Sequence, residues 1–340
     1  MAQREETIQD YFGQERTLVF EEVTNSEPTL YFEDTVLKAC THYIRSYRTE
    51  ALPGRKIFKH PFQNTQSISA YANTRDVAIF FQNVLKYSLS DETIAYYISS
   101  IQCVEDDSNQ KQDKEAWWSP KLQQAFFGQS QVNNTLLCFA VSQDIVAHEF
   151  THGLTSWTAD FDYIYESGAL DESYADIFAI LISNFHNPDV GSWNWEIGNG
   201  FGEQGCAFRD LQQPSRCNSI FIIDGQTQQI DHPKHMDNFL HLTYEQDNGG
   251  VHHNCSIHSY AAYKLLISQD NETNEYLFDV STVAVLFYQA LKRLGKQSGF
   301  IHSRLAIENI AKTLFRKDST IIKQKKLGAI AAAFNSVGIY

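Results

Sequence analysis

The sequence predicts an α+β chain, with a β-rich N-terminal part and a mainly helical C-terminal part. Two patterns carry this. From about Thr41 apolar and aromatic residues alternate with polar ones, as in a strand, and after about residue 141 they recur at helical spacing. Size is the third observation. A chain of 340 residues that is 43% hydrophobic, with 7 prolines, can build two domains or one large one with a substantial core. The expected division is an acidic arm at 1–42, a β-rich domain at 43–150 and a helical domain at 151–340.

The elements follow in order. Residues 1–34 hold nine acids and two bases with no clear amphipathic period, which predicts a mobile or loosely packed arm. Ala51-Leu52-Pro53-Gly54-Arg55 is a turn. Val77, Phe80, Phe81, Val84 and Leu85 share one face of a helix expected over 74–87. Strands are expected over 93–104 and 116–128, with a polar acidic loop at 105–114 between them. Helices are expected over 144–157, 168–185, 252–268, 281–294, 302–316 and 325–337. No internal repeat interrupts this order.

Charge and composition exclude several function classes. With 41 acids against 27 bases the net charge is −14, which disfavours nucleic acid and anionic membrane surfaces as partners. The longest apolar runs, near Ile177–Ile182 and Val283–Tyr288, are too short to span a bilayer. The first twenty residues lack a basic stretch followed by an apolar one, so the expected location is cytoplasmic, or outside by a route without a Sec signal peptide. None of the six cysteines forms a CxxC pair, and reduced thiols are expected; Cys206 and Cys217, flanking the Arg209 loop, are the pair that could bridge.

Chemistry concentrates in a few segments. His148-Glu149-Phe150-Thr151-His152 puts two imidazoles one turn apart on one helical face, where both can bind one metal ion. Glu172, on a second predicted helix, can supply a third ligand and leave a fourth position open, the pattern of a catalytic zinc. Glu149 points off the ligand axis and is a candidate general base. Asp176, four residues after Glu172, is placed behind the ligands to accept a hydrogen bond from the outer nitrogen of a ligating histidine. In Asp247-Asn248-Gly249-Gly250-Val251-His252 the glycine pair makes a permissive turn, and Asp247 can orient His252. Arg209 has a planar fork suited to a carbonyl.

These segments resemble the thermolysin family of zinc metallopeptidases, the gluzincins. The matching stretches are HEFTHG at 148–153, Tyr163, ESGALDESYADIF at 166–178, NWEIG at 194–198, FRDLQQP at 208–214, DNGGVHHN at 247–254, FYQAL at 287–291 and AFNSVGIY at 333–340. The resemblance is greatest to the short-precursor, protealysin-like branch. It implies two domains with the zinc cleft between them, zinc on His148, His152 and Glu172, and Glu149 as base. It places Tyr163 and His252 at the oxyanion of the tetrahedral intermediate with Asp247 behind His252, and Arg209 at a substrate carbonyl. It implies an apolar pocket at Ile145, Ile197 and Phe208, and substrate pairing along Glu115 and Ala116, where the chain reads EAWW in place of the family's Asn-Ala-x-Trp.

The family's calcium site keeps Asp144 and Glu196 but has Ser183, Asn194 and Asn199 at other ligand positions, so calcium binding is expected to be weak or absent. Residues 1–42 take the place of a short pro-segment, with Cys40 a candidate thiolate cap on the zinc. The implied activity is a zinc endopeptidase acting on peptides or proteins, preferring an apolar residue after the cleaved bond, with a proteinaceous inhibitor as a further candidate partner. The alternatives are a weakly active binding or effector protein of the same fold and an aminopeptidase.

Overall fold

The computed structural model describes residues 2–24, 28–59, 64–87, 96–106, 111–112, 115–202, 205–223 and 226–340. The chain divides into two compact units, Met1–Gly153 and Leu154–Tyr340.

The first unit opens with β1 (Ala2–Gln9), β2 (Glu15–Thr24) and β3 (Pro28–Tyr31), an antiparallel three-stranded sheet. Next come β4 (Glu33–Asp34), β5 (Ala39–Tyr43), β6 (Arg55–Lys56), helix α1 (Thr65–Phe80) and β7 (Tyr97–Ile101). The pair β8 (Val104–Asp106) and β9 (Lys111–Gln112) precedes the hairpin of β10 (Ala116–Ser119) and β11 (Gln124–Phe127). A second hairpin, β12 (Gln129–Val132) and β13 (Thr135–Cys138), leads into helix α2 (Gln143–Ser156). A six-stranded sheet runs β10-β11-β7-β5-β4, with β6 also on β5, and β7 parallel to both β5 and β11.

The acidic N-terminal segment is not the loosely packed arm its composition predicts. Leu18 and Phe20 on β2, Leu30 on β3, and Phe32 pack with Ile68, Tyr71 and Ala72 of α1 into one buried cluster. Four of its acids, Asp10, Glu21, Glu33 and Asp34, are held in ion pairs. Arg75 of α1 holds Asp34 at 3.1 Å, Lys56 holds Glu21 at 3.2 Å and Glu33 at 2.6 Å, and Arg16 bridges Asp10 and Asp76.

Helix α1 begins at Thr65, nine residues before its expected start, with Asn64 capping Gln66 N at 3.1 Å. Up to residue 74 it buries small and polar residues such as Ser67, Ser69, Asn73 and Thr74. Buried on the same turns as Ile68, Tyr71 and Ala72, they blur the apolar stripe that periodicity would find. The expected strand over 116–128 is instead the β10–β11 hairpin, turned at Gln123 with φ 55°.

The second unit is built on helix α3 (Tyr165–Ser183), buried continuously from Gly168 to Ile182. After it come the short hairpin β14 (Glu196–Ile197) and β15 (Arg209–Asp210), and the longer hairpin β16 (Asn218–Ile223) and β17 (Gln226–Asp231). Helices α4 (Asp247–Leu266), α5 (Val280–Leu291), α6 (Phe300–Leu314) and α7 (Thr320–Asn335) complete it. Gly168 lets α3 and α4 approach closely. A Cβ there would stand 2.7 Å from the Val251 side chain and 2.9 Å from the Tyr163 backbone.

Candidate active site

Helix α2 carries His148, Glu149 and His152. Its apolar stripe, Val146, Ala147, Phe150 and Leu154, is buried, and Phe150 packs on Tyr97 at 5.8 Å and Trp118 at 6.0 Å. That packing fixes the helix rotation and so the direction of the imidazoles. The His148 and His152 Nε2 atoms converge to 3.1 Å. Two imidazoles on one tetrahedral zinc, each about 2.0–2.1 Å away, stand roughly 3.3 Å apart. With a Glu172 carboxylate oxygen the three ligand atoms lie within 4.8 Å of one another. Two imidazoles and a carboxylate at this spacing fit a catalytic zinc ion.

Glu172 also meets the second group of candidates. The Tyr163 hydroxyl donates to Glu172 Oε1 and lies 3.0 Å from His252 Nε2. His252 Nδ1 faces Asp247 Oδ1 at 2.5 Å, and Asp247 Oδ2 accepts from the His252 backbone N–H at 3.0 Å.

A carboxylate only accepts, so Tyr163 gives its single proton to Glu172 and His252 Nδ1 carries a proton toward Asp247. The remaining Tyr163–His252 bond is then donated by Nε2–H, which makes His252 an imidazolium. Its pKa agrees in direction. Burial works to lower it, but the Glu172 charge and the Asp247 hydrogen bond raise it above the ordinary histidine value. The Tyr163 phenol is pushed well up by burial and by Glu172, so it keeps its proton.

Asp247 reaches back to His252 because the backbone curls there. Asp247, Asn248, Gly249 and Gly250 all have positive φ, from 48° to 87°, so the regular helix starts only at Val251. Gly249 is required twice over, since a Cβ would also stand 2.1 Å from the Tyr165 ring.

Arg209 and Asp176 are found together. The guanidinium grips Asp176 with two bonds, Nε to Oδ2 at 2.7 Å and Nη2 to Oδ1 at 2.8 Å, and lies 3.6 Å from Glu172 Oε2. Burial disfavours its charge, but Asp176 outweighs this and holds its pKa well up. Sequence reasoning sent these two side chains to different partners and missed their ion pair.

The remaining candidates are placed as follows. Ile145 is buried on α2 and Ile197 on β14, while Phe208 is 38% exposed, with its ring against Gly198. Glu115 precedes β10 and is exposed, and Ala116 begins β10, the edge of its sheet among the described residues. Cys40 is buried in β5, where burial followed by the Glu33 charge pushes its thiol up to about 12, and it is not among the side chains whose ligand atoms converge with His148 and His152. None of the six cysteines is joined in a disulfide, and of the six only Cys206 is exposed. Of the calcium candidates, Glu196 lies 3.6 Å from the Arg216 guanidinium and Ser183 bonds to its own helix at Ala179. Among the described residues no helix is long and apolar enough to cross a membrane.

Comparison with known proteins bears on these residues. Residues 9–156 match the thermolysin metallopeptidase catalytic domain, and residues 159–339 match the alpha-helical domain of the same peptidases. The chain is 26% identical to the gelatinase of Enterococcus faecalis over 278 residues, covering 81% of this chain and 47% of that protein. It is 32% identical to the thermolysin of Alicyclobacillus acidocaldarius over 235 residues, covering 64% of this chain and 37% of that one. The chain thus spans half or less of the length of these two relatives. Among solved structures, the precursor of protealysin from Serratia proteamaculans superposes with a TM-score of 0.67 at 22% identity, over 89% of this chain and 87% of that one. The two domain matches run in order through nearly the whole sequence and hold every proposed metal ligand, so the chain belongs to the thermolysin metallopeptidase family.

Proposed function

We propose that this chain is a zinc-dependent endopeptidase. The observation that carries the reading is the meeting at Glu172 of two sets of groups. His148 and His152 converge with it as metal ligands, and Tyr163 and His252 converge on it as donors. Zinc held by the three ligands polarises a carbonyl and lowers the pKa of a water toward about 7.

The protein's own groups do the rest. Glu149, buried beside His148 in sequence, takes the proton of the attacking water and passes it to the leaving amine. Tyr163 and His252 donate to the oxygen on which negative charge develops. Asp247 holds the His252 ring so that Nε2 faces that point. Asp176 orients a ligating histidine from behind, and Arg209 fixes Asp176 while offering its remaining N–H groups to a substrate carbonyl. The open edge of β10 supports pairing with an extended peptide along Glu115 and Ala116. Ile145, Ile197 and Phe208 support an apolar side chain after the cleaved bond. The Arg216 guanidinium at Glu196 supports weak calcium binding.

For residues 1–42 we infer a structural role rather than a detachable inhibitory one, on the burial of Leu18, Phe20, Leu30 and Phe32.

The test is mass spectrometry of an unbiased peptide mixture incubated with zinc-loaded protein and with Glu149→Ala. Internal cuts before apolar residues, lost in the variant, are expected. Trimming of single N-terminal residues would make the protein an aminopeptidase. No cleavage at all would make it a binding protein of this fold.

A further inference from the structure

Asp247 holds two imidazoles. His252 Nδ1 is on Oδ1 at 2.5 Å, and His253 Nδ1 is on Oδ2 at 2.8 Å. Oδ2 also accepts the His252 backbone N–H at 3.0 Å. Without His253, both remaining bonds come from one residue, His252, so they move together. The His253 bond is the one that comes from another side chain.

His253 is built into the second unit as a core residue. It is 5% exposed, with Phe221 of β16 at 4.8 Å on one contact and His232 at 4.6 Å on another, measured between ring centroids. Its Nε2 is buried and makes no hydrogen bond. The tautomer follows. Nδ1 faces an oxygen that only accepts, so it carries the proton, and a bare Nε2 is the cheaper state of a nitrogen with no acceptor. A buried polar atom without a partner costs stability. A leucine would fill the same slot without that cost, so what the imidazole contributes is the single N–H on Oδ2.

We infer that His253 is a positioning residue for the reaction: its Nδ1–H fixes the Asp247 carboxylate, and Asp247 in turn fixes the His252 ring at the developing oxyanion. The inference rests on His252 acting as proposed above. It gives His253 an effect on turnover that is opposite in sign to its effect on stability. Substrate binding does not depend on it, because His253 is buried behind Asp247.

The experiment compares parent, His252→Ala, His253→Leu and His253→Asn in the full chain. An internally quenched peptide gives kcat and KM, and thermal melts give Tm. Asparagine keeps an N–H near the Nδ1 position, and leucine does not. His253→Leu is expected to keep or raise Tm and to lower kcat about 10-fold with KM within about 2-fold, while His253→Asn recovers most of kcat. A second readout needs neither zinc nor turnover. In histidine-labelled, zinc-free protein a solvent-protected His253 Nδ1–H resonance is expected, absent from His253→Leu and shifted by Asp247→Asn. If His253→Leu does not fold, the asparagine variant and that resonance decide. Parental kcat in His253→Leu, an asparagine variant as slow as the leucine one, or no protected Nδ1–H would overturn the inference. A His252→Ala variant as fast as the parent would instead remove the role of His252 and the inference with it.

Discussion

Thr155 ties the end of α2 to α3. Its Oγ1 donates to Asp171 Oδ1 at 2.5 Å, with both residues buried, three residues after the His152 ligand and one before the Glu172 ligand. A ligand set drawn from two helices is only as fixed as their relative rotation, and this bond sits within a turn of two of the three ligands. Thr155→Val keeps the shape and removes the donor. It is expected to lower stability by about 1–3 kcal/mol and to weaken zinc binding roughly 10-fold, with Thr155→Ser restoring both. Chelator competition followed by thermal melts reads the two effects, and unchanged zinc affinity in the valine variant would remove Thr155 from the metal site.

Tyr163 donates to Glu172 and accepts from His252, so it touches both halves of the proposed site. Loss of its hydroxyl should be felt where charge develops and not in ground-state binding. Tyr163→Phe is expected to lower kcat by roughly 10²-fold, with a much smaller change in KM. A rise in KM at constant kcat would instead make Tyr163 a substrate-binding group.

How much of this was legible in the sequence depended on the distance between partners along the chain. His148, Glu149 and His152 are set by one helical turn, so spacing alone reveals them. Tyr163 and His252 lie 89 residues apart, and only the family resemblance linked them. Arg209 and Asp176 are 33 residues apart, and each looked available for other work because a buried ion pair has no local signature. The packing of the acidic N-terminal segment is hidden for the same reason. Two of the cations that pair with its acids, Arg75 and Lys56, stand outside it, and the alternation that buries Leu18 and Phe20 is short.

That segment yields a sharp test. β5 is an inner strand of the six-stranded sheet, and a cut after residue 42 falls inside it. Phe20 is completely buried in the cluster on α1. Phe20→Ala is expected to cost about 3–5 kcal/mol, and a chain starting at residue 43 is expected not to fold. Intact mass of the active protein should show residues 1–42 still attached. A stable, active product trimmed near residue 42 would return the segment to the role of a pro-segment.

Acid should unfold this protein through its buried neutral histidines. Burial lowers His42 to about 4, and lowers His232 and His258 to about 3. In the unfolded chain each takes a proton near pH 6.5. Below that pH the unfolded state binds more protons, so the stability present above pH 6.5 is lost as pH falls, until each folded-state pKa is reached. Each histidine contributes up to about 1.4 kcal/mol per pH unit, so all three at pH 4.5 remove on the order of 5–8 kcal/mol, comparable with the stability of a typical domain. His258 is the most informative of them. Its ring nitrogens bond Ser173 Oγ at 2.8 Å and Ser303 Oγ at 2.9 Å, and it stacks on Phe300 at 5.7 Å. An asparagine there cannot titrate. Thermal melts from pH 8 to pH 4.5 should show Tm falling steeply below pH 6.5 in the parent. In His258→Asn, Tm is lower at pH 8 but falls with a slope shallower by one histidine. Parallel slopes in the two proteins would mean that His258 is not among the groups through which acid acts.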